Sequence, residues 1–253
     1  MGQDGKGGEM PIRIGLVSTK GGSGKSTLTI LLAGEFVHAG LSVAILDTDP
    51  QQSVVLWHKA CQARNLALDN LIVSSALDAA QLPAQIAADQ SDVMLIDVQG
   101  SGNAALAMAA ANCDLIVIPC IASELDVAQV RRLPEYLERF TSKRGLAVRY
   151  RVVLNGVDGI EMRTRPFVEA IFALKHDNIK LAETIVSKRT SYRHITNGRG
   201  SLYQIEDKDE SCLKAISNIH KLVDELVAVL VSPDDEQPNA DGEAALRAEA
   251  ADL

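Results

Sequence analysis

The sequence predicts an α/β protein, a doubly wound, mostly parallel twisted sheet with helices on both faces. Three observations carry this. From Ile12 onward, short β-branched apolar runs alternate with longer stretches of helical period. Most of the strand-like runs are continuously apolar, as strands become when helices cover both faces of a sheet. A glycine-rich stretch, Gly21-Gly22-Ser23-Gly24, joins the first apolar run to the first helical one.

In chain order, strands are expected at 12–18, 42–47, 71–74, 92–97, 114–118, 147–154 and 179–186. Helices are expected at 25–38, 51–64, 78–89, 103–111, 124–142 and 164–175, with Gly40 placed to end the first of them. A last helix covers about 209–230. On it Ile216, Ile219, Val223, Leu226 and Leu230 recur at helical spacing, which predicts a face docked on the core. A helix lying on a membrane is the rival reading. The mixed polar side (Lys214, Lys221, Asp224, Glu225) and the acidic residues behind it oppose an anionic lipid surface. Residues 11–231 thus form one expected domain, between a Gly-rich polar start (1–10) and a tail (232–253) too charged and too poor in large apolar groups to pack.

The chain has 253 residues, 47% of them hydrophobic and 23% charged, the composition of a globular protein. No apolar run is long enough to cross a bilayer and the start is not signal-like, so a cytoplasmic protein is expected. Cys61, Cys113, Cys120 and Cys212 show no metal-ligand spacing and read as buried thiols. The net charge of −8 is unevenly spread: residues 232–253 hold seven acids against Arg247. Between Arg131 and Arg199, fifteen Lys/Arg face seven Asp/Glu, a candidate anion-binding stretch inside an acidic protein.

The chemistry centres on Lys20-Gly21-Gly22-Ser23-Gly24-Lys25-Ser26-Thr27. Strand before, helix after, this is the setting of a phosphate-binding loop. Gly21, Gly22 and Gly24 remove Cβ atoms, so that successive backbone N–H groups, with those of Ser23 and Thr27, can turn toward phosphate oxygens at a helix N-terminus. Lys25 then neutralises the β and γ phosphates and the Ser26 hydroxyl is placed to ligate Mg2+. The usual pattern needs glycine at position 19, where Thr19 stands.

What remains, KGGSGKST, resembles the deviant Walker A motif of the ParA/MinD superfamily of P-loop ATPases. The resemblance implies that Lys20 reaches across an ATP-sandwiched homodimer to the partner's nucleotide; a solvated loop lysine is the plain alternative. Ile45 to Gln52 matches the D-x-D-P-Q signature of ParA-type proteins. There Asp49 would orient the attacking water and Asp47 would lie near Mg2+, directly or through water. Val93 to Asp97 is a Walker B strand with Asp97 toward the Mg2+ water shell. Asp97-Val98-Gln99-Gly100 departs from the family's usual continuation, so slow, partner-stimulated hydrolysis is expected. Ile116 to Asp126 is similar to the family's dimer-face segment, with Ser123 a helix cap on any reading.

Asn155-Gly156-Val157-Asp158 resembles a base-reading loop without its lysine; Asn155 is assigned to base contact and ATP is preferred to GTP. From about Ile12 to Val231 the chain resembles small ParA-type (ParF-like) plasmid partition ATPases, whose ATP-bound dimers hold DNA non-specifically. Lys188, Arg189, Arg193 and Arg199, with Tyr192 and His194 between them, supply a basic cluster for that; a solvated surface is its alternative. Larger relatives carry an N-terminal operator-reading domain, not expected here before a first strand at residue 12, so a DNA- or cargo-binding adaptor protein is the expected partner. ATP and Mg2+ are the expected cofactors and the nucleoid the expected location. A MinD-like membrane organiser and a metal-cluster maturation ATPase are the rivals, the latter lacking paired cysteines.

Overall fold

The computed structural model describes residues 11–18, 21–78, 80–101, 103–132 and 149–232. The expected floppy start, the tail from 233 onward, residues 133–142 of the helix expected at 124–142 and the first two residues of the strand expected at 147–154 lie outside the described residues.

Seven strands, β1 (Ile12–Ser18), β2 (Val43–Asp47), β3 (Leu71–Ser75), β4 (Val93–Ser101), β5 (Leu115–Cys120), β6 (Tyr150–Val157) and β7 (Val186–Ser187), form one sheet in the order β3-β2-β4-β1-β5-β6-β7. Every neighbouring pair is parallel. Helices numbered along the described residues join them: α1 (Lys25–His38), α2 (Ser53–Gln62), α3 (Leu82–Ala88), α4 (Asn103–Asn112), α5 (Glu124–Val130), α6 (Arg165–His176), α7 (Thr190–Thr196) and α8 (Glu210–Val231).

Alternation along the strands divides the core in two. Ile14, Leu16, Val43, Ile45, Val93, Leu95, Leu115 and Val117 face α1, α2, α7 and α8. Val17, Ala44, Leu46, Met94, Ile96, Ile116 and Ile118 face α3, α4, α5 and α6. Both faces are therefore covered, which is why the strand runs read as continuously apolar. The expected docking stripe on α8 is in place: Ile219, Val223 and Leu226 are buried, and Ile216 and Leu230 pack at its margin. That face is spent on the core.

Two expectations change. The strand expected at 179–186 is reduced to a bridge between Leu181 and Val152 and the short β7. Side chains of α8 take backbone donors along this stretch. Glu225 accepts from the N–H of Glu183 (2.7 Å) and Thr184 (3.0 Å), and Asn218 Oδ1 from that of Ser187 (3.2 Å). The basic segment after it is not wholly loop but contains α7, too short to show a helical period.

Candidate functional site

β1 and β4 lie side by side at the middle of the sheet, and the loop from β1 enters α1 at the carboxyl edge, where parallel sheets bind ligands. Gly24 precedes α1 at φ 85°, a left-handed conformation that spares glycine but strains other residues. A Cβ there would also stand 2.3 Å from Asn155 Nδ2. Asn155, on β6 and nearly buried, donates that nitrogen to the Ser23 carbonyl (2.7 Å). The residue expected at the base braces the glycine-rich loop, a role its sequence neighbours did not reveal.

No side chain caps the N-terminus of α1, so its first N–H groups are left to the loop's interior. Ser23 is buried with an unpartnered hydroxyl. Gly21 and Gly22 are exposed, Ser26 and Thr27 half-buried at the start of the helix, and Lys20 lies outside the described residues.

Lys25 is buried and forms an ion pair with the fully buried Asp97 through Oδ1. The other carboxylate oxygen, Oδ2, has no hydrogen-bond partner. Burial pushes the Asp97 carboxyl up from its ordinary range, opposed by the charge of Lys25 and by hydrogen bonds from Lys25 and Ser26, and reinforced by the charge of Asp47. A buried acceptor with nothing to accept costs free energy and marks a place where a donor or cation belongs. The Ser26 hydroxyl beside Asp97 is the second oxygen that a Mg2+ ion bound with phosphate would use. The donor set therefore fits that ion.

Asp47 is in register with Asp97 on the adjacent strand and equally buried. Its oxygens are already engaged: Oδ1 accepts from the N–H of Asp49 (3.1 Å), and Oδ2 from those of Val54 (3.0 Å) and Val55 (3.3 Å). Asp47 therefore holds the N-terminus of α2, which the D-x-D-P turn before a helix could have signalled. Asp49 is half-exposed and accepts from the N–H of Gln51 (2.9 Å). Ser123 caps α5, accepting from the N–H of Asp126.

The basic cluster is less uniform than its sequence suggests. Lys188, Arg193 and Arg199 are exposed, but Arg189 is half-buried beside Tyr192. Tyr192 is buried, its hydroxyl 3.4 Å from the Ala215 carbonyl and from Asn218 Oδ1, and burial pushes it up to about 12. It is a core residue rather than a stacking platform; at that position the sheet face, not the surface, takes the ring.

The family model described as the CobQ/CobB/MinD/ParA nucleotide binding domain matches residues 14–228. The chain belongs to this family. Among curated proteins it is similar to the protein ParA of Rhizobium radiobacter, 25% identical over 215 residues that cover 83% of this chain and 92% of the relative. The fold is shared with a plasmid partition protein from Borrelia burgdorferi B31 bound to AMPPNP (TM-score 0.61, 19% identity, 83% of this chain and 97% of that one). It is shared equally with the septum site-determining protein MinD of Pyrococcus horikoshii OT3 in complex with Mg-ADP (TM-score 0.62, 18% identity, 88% and 100%). Among the described residues no helix is long and apolar enough to cross a membrane.

Proposed function

We propose that this family member is an ATP-driven switch that closes into a homodimer, holds DNA non-specifically, and partitions plasmid DNA or similar cargo with an adaptor protein. The observation that carries the nucleotide step is the buried Lys25–Asp97 pair with its unpartnered Oδ2 under an uncapped helix N-terminus. Without nucleotide, Asp97 keeps Lys25 neutralised. With it, Lys25 turns to the β and γ phosphates while the N–H groups from Gly21 to Thr27 cradle them. Asp97 and Ser26 would hold Mg2+, which when bound would supply charge neutralisation at the phosphates. Asp47 acts through water and by fixing α2, Asp49 orients the attacking water, Lys20 reaches the partner's nucleotide, and Asn155 meets the base while bracing the loop.

Lys188, Arg189, Arg193 and Arg199 form the DNA-facing cluster, three of them exposed. The ParA relative favours this reading over a MinD-like membrane organiser. So does α8, whose apolar stripe is committed to the core. DNA retention by the purified protein with ATP, ADP and GTP at low and moderate salt tests it. Retention with ATP alone, weakened by salt, is the expected result; none under any nucleotide would sink the switch reading.

A further inference from the structure

The exposed arginines of the basic segment do not stand alone. Everything from Ile195 to Gly200 is moored to α2. Trp57 Nε1, buried, donates to the Ile195 carbonyl at 3.1 Å, and Cys61 Sγ accepts from the Gly200 N–H at 3.4 Å. Between them, Gly198 has φ 76° and approaches Ala60 so closely that a Cβ would stand 2.4 Å from the alanine's methyl group. Only glycine fits on both counts. The same close approach places Arg64 Nη1 3.1 Å from that Cβ position, against the residue that precedes Arg199.

Arg64 is exposed, and it donates one N–H back to the Ala60 carbonyl at 2.9 Å, which fixes its guanidinium at the end of α2. A guanidinium has five donors, so most remain for a planar anion. Among the described residues, no ion pair engages Arg64, Arg193 or Arg199.

We propose that Arg64, in the turn just past α2, is a phosphate-backbone contact of the DNA surface, so that this surface is built from two parts, the C-terminal end of α2 with its turn and the α7–Gly200 segment, locked together by Trp57, Ala60 and Gly198. The inference rests on the DNA-binding reading above and adds a residue that lies far from the basic cluster in sequence. It also gives α2 two ends of different use, since Asp47 of the nucleotide site holds its first turn.

The test measures binding of the full chain, with ATP and Mg2+, to a random-sequence DNA duplex across a salt titration. Wild type, Arg64→Ala, Arg64→Lys, Arg199→Ala and Lys175→Ala are compared. Lys175 is exposed on α6, on the other face of the sheet, and serves as a charge control. Arg64→Ala should weaken binding several-fold and flatten the log–log salt slope by about 0.9 for each phosphate it no longer neutralises, as Arg199→Ala does. Arg64→Lys should keep most of the slope and Lys175→Ala all of it. Unchanged nucleotide binding by Arg64→Ala separates an effect at the DNA surface from a damaged fold. A wild-type slope in Arg64→Ala beside a flattened one in Arg199→Ala overturns the inference and leaves the DNA reading standing. No ATP-dependent binding by the wild type removes both.

Discussion

The two ends of α1 each bury a charge, and they treat it differently. At the N-terminal end Lys25 meets Asp97, and the carboxylate keeps one oxygen without a partner. Toward the other end Glu35, the one acid of α1, is closed in: Tyr203 Oη donates to its Oε2 at 2.5 Å and His220 Nδ1 bonds its Oε1 at 2.7 Å. Tyr203 is in turn stacked on His38 with ring centroids 3.5 Å apart. Satisfied on both oxygens, Glu35 ties α1 to α8 and to the turn at Leu202–Gln204. One network is left half-satisfied and the other is complete.

The largest expected effect breaks the first network. Asp97→Ala leaves the Lys25 ammonium buried without its counter-ion, which should cost about 3–5 kcal/mol of stability in urea unfolding without nucleotide. Magnesium should then no longer strengthen ATP binding. Wild-type stability in that variant would mean Lys25 finds another partner, and the contrast between the two ends would collapse.

At the other end, Glu35→Ala strands the Tyr203 hydroxyl and frees His220. A loss of about 1–3 kcal/mol is expected in the same assay, with ATP affinity unchanged. A drop in ATP affinity as large as that of Asp97→Ala would show that α1 transmits strain along its length and that the complete network is not merely structural.

A smaller effect sharpens the picture of the loop itself. Gly24→Ala adds a Cβ at positive φ, about 1–2 kcal/mol of backbone strain, and pushes Asn155 off the Ser23 carbonyl. ATP affinity should fall, and Asn155→Ala made in the same chain should restore part of it, because the two residues share one contact. Strict additivity in calorimetric titrations would separate Asn155 from the loop.

The doubly wound sheet was legible because its signals are local: apolar runs, helical periods and a glycine loop between strand and helix placed the first three strands to within a residue and β4, β5 and β6 to within four. The glycine-rich turn from β1 into α1 was legible for the same reason. What was not legible depends on residues brought together from afar. The stretch before β7 gives the N–H groups of Glu183 and Thr184 to Glu225 on α8, a partner far along the chain. Tyr192 reads as part of a basic surface until α8 covers it. Asp47 shows its carboxylate in the sequence, but not that α2 has already claimed both oxygens. Glu35, one acid inside the apolar run from Leu28 to Val37, was the visible sign of a buried partner, though not of which one.

The smallest expected effect concerns the outer member of the closed network. His220 is largely exposed, and its hydrogen bond to Glu35, then the charges of Asp224 and Glu35, raise its pKa above the ordinary 6.5. A group whose pKa rises on folding binds its proton more tightly in the native state. Its contribution is therefore complete at pH values below the unfolded pKa and is lost as pH climbs through the raised folded one. The gap in Tm between wild type and His220→Gln should be widest on the acid side of neutrality, as long as Glu35 and Asp224 stay ionised, and should close well above it. Added salt should narrow the acid-side gap, because Asp224 and the imidazole meet in solvent. His220 bonds the Glu35 end of α1, so the same pH series on ATP affinity should leave His220→Gln and wild type together. Divergence there would join the two ends of α1 that the structure keeps apart.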